Sequence, residues 1–278
     1  MTQQTVAYLG PEGTYSELVA ARRFGRAARL VPQPTILDVC LYVAAKSGRR
    51  GVIPFENSSG GAISETVDIL LANHPRVRIG EELSLNVKLA LLGRRGHRVQ
   101  ILYSHFAPLE HAASWIAAHL PDARKQAVPS TAAAARLTLA DPSAAVLGSR
   151  HLAARYGLDV LHAAVQADIP NITAFLTIGA LPVAGARGRY KTTLAAKLPN
   201  QPGALCTFLE TFRTESVNLS RIISRPVRGS PRAYTFLVDI DGHAQGSARV
   251  QRALAAAQKT CVELRVVGAY PVRPAYTS

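Results

Sequence analysis

Three short segments of this chain hold residue types that could do chemistry together. Gly10-Pro11-Glu12-Gly13-Thr14-Tyr15-Ser16 follows an apolar run and opens a helix-like stretch. Glycines in such a turn let backbone N–H groups approach an anion, and the helix N-terminus adds positive potential. The spacing lacks the Gly-Lys-Ser/Thr ending of a nucleotide loop. Pro54-Phe55-Glu56-Asn57-Ser58-Ser59-Gly60-Gly61 is a second strand-to-helix loop. Asn57 can donate and accept, while Ser58 and Ser59 offer hydroxyls. Asn171-Ile172-Thr173-Ala174-Phe175 sets a threonine at the entrance to the apolar run 176–178. Taken singly, each segment also fits a structural role: a capped Gly/Pro turn, a helix-capping loop, a strand-entry threonine. Thr66, beyond the second loop, either faces the same crevice or packs its helix.

These segments must be positioned by regular elements. Thr5–Leu9 reads as a buried strand entering the first loop, and Ser16–Phe24 as the helix after it. Residues 50–54 repeat the strand, 63–71 the helix, and 35–46 are helical between them. This alternation predicts an α/β domain of mostly parallel strands, with both loops at strand carboxyl ends lining one crevice. A second unit starts near Leu83, with a strand over 85–92 and a helix over 111–119. Ser130 caps an alanine-rich helix to about Leu139. A strand over 144–147 leads to a helix capped by Ser149 and ended by Gly157. Residues 181–189 read as a linker. Beyond it the order strand, helix, strand, strand, helix, strand (190–198, 203–214, 217–224, 232–240, 247–259, 262–267) is a ferredoxin-like βαββαβ unit.

Bulk properties exclude several classes. The chain has 278 residues, 48% hydrophobic and 18% charged, which suits globular domains with real cores. No run approaches the ~20 apolar residues of a membrane helix, and no secretory signal is visible. The net charge of +14 comes from scattered arginines, and aromatics are only 6%. That pattern argues against nucleic acid and suits steering of a small anion. Cys40, Cys206 and Cys261 have no ligand spacing and read as thiols in a reducing cytoplasm. The histidines (74, 97, 105, 111, 119, 151, 162 and 243) are dispersed, and only His105 is a candidate neighbour of the crevice. No metal or organic cofactor is expected.

The three segments, in this order and spacing, resemble those of the prephenate dehydratases of phenylalanine biosynthesis. The likeness continues through Tyr103-Ser104-His105, Ser130-Thr131-Ala132, Ala154-Arg155-Tyr156-Gly157-Leu158 and Val165-Gln166. Asn200-Gln201-Pro202-Gly203-Ala204-Leu205 and Asn218 to Pro226 resemble an ACT regulatory domain. The resemblance implies a catalytic domain over residues 1–184, two-lobed like a periplasmic binding protein with the site between the lobes, and an ACT domain over 188–278. No chorismate mutase segment is seen before residue 5, so the likeness is to monofunctional members. It implies decarboxylating dehydration of prephenate to phenylpyruvate, with Thr173 assisting departure of the ring hydroxyl. Asn57, Ser58, Asn171 and the N–H groups of Gly13 and Thr14 would hold substrate oxygens, Phe175 would wall the ring, and Pro11 and Gly61 belong to the same binding set. Phenylalanine or another amino acid would bind at Gly203, Ala204, Leu205, Asn218, Leu219, Ser224, Arg225 and Pro226. A homodimer or homotetramer in the cytoplasm, with allosteric regulation, completes the expectation.

Three departures matter. The family usually has proline where this chain has Phe106, after Ser104-His105. It usually has arginine where this chain has Ala174, and a lost charge-assisted contact to a carboxylate would cost about 10- to 150-fold. That leaves open a weakened or otherwise compensated dehydratase, a non-aromatising prephenate decarboxylase, and an inactive prephenate or aromatic amino acid binding protein. If Ala174 is a handicap, Ala174→Arg should raise catalytic efficiency. Ile223 replaces a glutamate of the family's Glu-Ser-Arg-Pro, which implies weakened phenylalanine inhibition or a changed effector.

Overall fold

The computed structural model describes residues 3–72, 77–166, 168–179, 188–227 and 233–278. The chain begins β1 (Thr5–Leu9), α1 (Tyr15–Phe24), β2 (Arg29–Gln33), α2 (Ile36–Ala44), β3 (Arg50–Asn57), β4 (Gly61–Ala62), α3 (Ser64–Leu71) and β5 (Ile79–Asn86). It crosses into β6 (Leu89–Gly93), β7 (Ile101–Ser104), α4 (Phe106–His111), α5 (Ala113–His119), β8 (Arg124–Ala127), α6 (Thr131–Ala140), β9 (Ala144–Ser149), α7 (His151–Tyr156) and β10 (Asp159–Val165). β11 (Ile172–Ile178) crosses back. There follow β12 (Tyr190–Lys197), α8 (Ala204–Thr214), β13 (Leu219–Pro226), β14 (Tyr234–Asp241), α9 (Ala248–Gln258), β15 (Glu263–Pro271) and β16 (Tyr276–Thr277).

Local chemistry explains the elements that matter for the site. β1 is β-branched and aromatic in its middle and buried on both faces, as a central strand requires. Thr14 caps α1 by accepting the Glu17 N–H, and Ser130 caps α6 by accepting the Ala133 N–H at 3.0 Å. Gly157 ends α7 in the left-handed region at φ 63°.

The strands form three sheets. The first has seven strands, in the order β16-β5-β11-β3-β1-β2 with β4 on β3. The second runs β10-β6-β9-β7-β8, and the third β13-β14-β12-β15. One core joins the first and second sheets through Tyr8, Leu83, Leu85, Phe175, Leu91 and Leu147. Another covers the opposite face of the first sheet with α2, α3 and residues of the third, among them Leu237 and Tyr270. The third sheet also packs on α8 and α9. After β15 the chain returns: β16 pairs in parallel with β5, and Arg273 and Arg23 both hold the Glu81 carboxylate. Burial works against that charge, but the two guanidinium groups keep it below the usual carboxylate range.

Several expectations are corrected. The first sheet is mixed, because β11 inserts antiparallel between β3 and β5. The expected strand over 85–92 is the end of β5 and most of β6, in two different sheets. The helix expected over 111–119 is α5, which starts at Ala113, and His111 instead ends the separate α4. Ser149 closes β9 rather than capping α7, whose first residue follows Arg150 with no side-chain cap. Thr66 is fully buried, its hydroxyl donating to the Pro54 carbonyl at 2.6 Å. Most of the expected linker, 180–187, lies outside the described residues, as do His74 and residues 228–232.

Candidate active site

A cavity of about 490 Å³ opens between the first and second sheets, at the carboxyl ends of β1 and β3. The first sheet contributes Asn57, Asn171, Thr173 and Phe175 to its wall, with Gly61 from β4. α1 contributes Thr14, Tyr15 and Ser16, while His105, Ser130 and Thr131 come from the second unit. The three segments singled out in the sequence therefore meet, although 114 residues separate Asn57 from Asn171.

Asn57 organises the floor. Its amide nitrogen donates to Thr173 Oγ1 at 2.8 Å and more weakly to Asn171 Oδ1 at 3.3 Å. Its oxygen accepts the Ser59 and Gly60 N–H groups at 2.9 and 3.1 Å, which shapes the loop. Thr173 is only 9% exposed. With one lone pair engaged by Asn57, and no acceptor for its own proton among the described residues, the Thr173 hydroxyl is set to donate into the cavity. Tyr15 Oη is buried without a hydrogen-bond partner among the described residues. Burial pushes its ionisation far above the ordinary value, so it is a neutral hydroxyl enclosed behind the cavity wall.

Among the described residues, no lysine or arginine lines this cavity. Positive potential comes instead from backbone. The first residues or caps of α1, α2, α3 and α6 all line it: Thr14 and Tyr15, Ile36, Ile63 and Ser64, Ser130 and Thr131. α3 has no capping side chain at Ile63, which leaves its first-turn N–H groups open to an incoming anion. His105 is half-buried, and burial holds its pKa below the usual histidine value, so it is neutral at pH 7. Its Nδ1 accepts the Ala107 N–H at the start of α4. Across the mouth, Ser59 Oγ meets His111 Nδ1 at 3.1 Å, and Arg155 of α7 binds Glu12 and Glu17.

The model of the prephenate dehydratase family matches residues 6–182. This chain belongs to that family. It is 34% identical over 285 residues to the prephenate dehydratase of Mycobacterium tuberculosis H37Rv, covering 97% of this chain and 88% of that protein. The crystal structure of prephenate dehydratase from Arthrobacter aurescens in complex with L-Phe superposes with a TM-score of 0.84 at 33% identity, over 96% of this chain and 89% of that one. GqqA, described as a novel type of quorum-quenching acylase, superposes with a TM-score of 0.83 at 25% identity over 98% of each chain. The mixed α/β fold is thus that of prephenate dehydratase structures.

Against the family pattern, Ala174 takes a new meaning. Alternation along β11 turns Thr173 and Phe175 to the cavity and residue 174 to the other face. Ala174 pairs with Glu56, whose carboxylate points away from the cavity to Arg221. An arginine at 174 would therefore not reach the cavity, and its absence does not remove a cation from the site.

Some expected binding residues lie outside the cavity wall. Gly13 packs under it at φ 90°, with its N–H already bonded to Glu17. Ser58 ties the second loop to β11, its Oγ accepting the Ile172 N–H at 3.0 Å. Pro11, following a cis bond, is exposed beside Gly10, which does line the cavity. Tyr15, Ser16 and Ser130 line the cavity as well, although the sequence marked them only within longer segments and not as binding residues.

In the C-terminal unit, Gly203 takes φ 81° ahead of α8, where Ala204 and Leu205 form the first turn. Asn218 donates to Asp241 at 3.0 Å, and Leu219 packs on the third core beside Leu205. Ser224 and Pro226 are exposed, whereas Arg225 is bound by Asp68 of α3 through two 2.7 Å bonds. Ile223 packs into the core between the third and first sheets.

Proposed function

We propose that this protein converts prephenate into phenylpyruvate, CO2 and water. The ring carboxylate leaves as CO2, and its electron pair moves through the ring and expels the hydroxyl on the far carbon. That hydroxyl takes up one proton and leaves as water. Aromatisation drives the reaction, so the site must orient a dianion and give the leaving oxygen a hydrogen-bond donor. The observation that carries the reading is the Asn57–Thr173 bond at 2.8 Å, which aims the Thr173 proton into the cavity. Positioned proton transfer of this kind supplies roughly 10²–10⁴ in rate. The helix N-termini and the neutral donors Ser130 and Asn171 hold the carboxylate and carbonyl oxygens, and Phe175 walls the ring. A non-aromatising decarboxylase would retain the ring hydroxyl, and the Thr173 donor favours its departure instead.

We extend the proposal to the architecture. Residues 1–184 form a two-lobed, periplasmic-binding-protein-like catalytic domain, and 188–278 an ACT domain with its tail returned to the first sheet. The order β12-α8-β13-β14-α9-β15 and the sheet order support the second assignment. Phenylalanine or a related amino acid binds near Gly203–Leu205 and Asn218–Leu219, in a cytoplasmic homodimer or homotetramer.

The test is to supply purified protein with prephenate, follow phenylpyruvate absorbance and identify products by mass spectrometry. Phenylpyruvate at an enzyme-like rate is expected. Loss of CO2 with the hydroxyl retained would overturn dehydration in favour of decarboxylation. No turnover of prephenate above the acid-catalysed background would overturn the enzyme reading. Acyl hydrolysis, the activity in GqqA's description, would likewise leave prephenate untouched.

A further inference from the structure

Glu56 stands beside Asn57 in sequence but takes no part in the cavity. An irregularity in the β3–β11 register leaves Phe55 as an extra residue between the Ala174–Glu56 and Phe175–Pro54 pairs. Phe55 and Glu56 consequently both reach the third sheet. There Arg221 of β13 gives Glu56 Oε2 two bonds, from Nη2 at 2.5 Å and Nε at 3.0 Å. The same guanidinium lies 4.2 Å over the Phe55 ring, binds the fully buried Asp239 carboxylate, and stands 3.7 Å from Glu82 Oε2. Its side chain is 9% exposed. Arg221 is the buried member of this pair and Glu56 the partly exposed one, so displacing Glu56 leaves Arg221 held by Asp239 and frees the end of β3. The end of β3 is thereby clamped to the third sheet one residue before Asn57.

We propose that Arg221 is a positioning residue for the Asn57–Thr173 pair, fixing β3 through Glu56 and so carrying the state of the C-terminal unit to the cavity. Arg221 itself does not touch the cavity wall. A shift of β13 against β3 drags Glu56 and re-aims the Asn57 amide, and a misplacement of ~1 Å can cost on the order of a hundredfold in rate. The kinetic consequence rests on the dehydratase reading, whereas the positioning itself does not.

Glu56→Gln is the informative variant, because it keeps the side chain's shape and leaves the Arg221–Asp239 pair in place. Its kcat for phenylpyruvate formation should fall about tenfold or more with KM within about twofold, and Arg221→Lys should retain more turnover than Arg221→Met. Amide hydrogen exchange gives a readout without substrate. In Glu56→Gln, segments 55–58 and 171–175 should exchange faster, while 144–149 in the second sheet stays as in the wild type. Wild-type kcat together with wild-type exchange in a folded Glu56→Gln protein would reduce Arg221 to interface packing and overturn the proposal. If the wild type forms no phenylpyruvate, the dehydratase reading fails separately, and the exchange pattern alone decides the positioning role.

Discussion

Thr173→Val replaces a hydroxyl by a methyl of nearly the same shape, so it isolates the oxygen. Two effects separate cleanly. In the folded protein the variant loses the 2.8 Å bond from Asn57, while the Asn57 amide keeps its 3.3 Å contact with Asn171 and its two bonds from the loop. One neutral hydrogen bond is worth about 1 kcal/mol net, so stability should fall by about that much. In the reaction the loss is larger, because the donor to the departing oxygen is gone. A factor of roughly 10²–10⁴ in kcat corresponds to about 2.7–5.4 kcal/mol of barrier. Binding relies on helix N-termini and other donors, so KM should stay within about threefold. Initial rates at saturating prephenate, read as phenylpyruvate absorbance, measure the split, and Thr173→Ser should retain turnover within about tenfold. A Val variant with kcat within about threefold of the wild type would remove Thr173 from the chemistry.

Three other perturbations follow from the geometry. Ala174→Arg puts a second guanidinium on the Glu56 side of the sheet, so KM for prephenate should stay within about twofold and efficiency should not rise; a gain of about tenfold in kcat/KM would place residue 174 in the cavity after all. Gly13→Ala forces a Cβ at φ 90° to within 3.2–3.3 Å of Ala132, Leu152 and the Tyr156 hydroxyl, and should cost about 1–3 kcal/mol in a denaturation curve, with unchanged stability refuting the tight packing. His105 has a folded pKa below its unfolded value, so below about pH 6.5 the unfolded chain binds a proton that the folded one resists, and stability is lost as pH falls. His105→Gln should lose less stability between pH 7 and pH 5 than the wild type, and identical losses would deny that burial.

Much of the site was legible because it sits where Gly/Pro punctuation borders an apolar strand, at the ends of β1 and β3 and the start of β11. Strand alternation also held the answer for Ala174, since period two puts residues 173 and 175 on one face and 174 on the other. What the sequence concealed was topological. Nothing local separates Leu85 from Leu89, because both are apolar residues of a β-rich run; only sheet membership divides them. Nor does any local signal announce that β11 returns from the second unit to lie antiparallel between two earlier strands. β8 is exposed at a sheet edge and β10 half-exposed, so neither carries a strong apolar pattern. Arg221 was invisible for a different reason: Asp239 is on the neighbouring β14, but its partners Glu56 and Glu82 come from strands far earlier in the chain.

The return of the chain after β15 bears on how the molecule comes apart. A unit tethered by one linker can swing or melt by itself. Here the C-terminal unit is stitched at its far end as well, through β16 on β5 and Arg273 on Glu81, while Arg225 and Arg221 pin its sheet to the first. Fraying the third sheet therefore strips an edge strand from the first, and the opening energies of the two become one sum. Heating such a protein should produce a single cooperative endotherm rather than a domain-by-domain staircase. An effector bound to the C-terminal unit would then work by tightening or slackening a shared fabric.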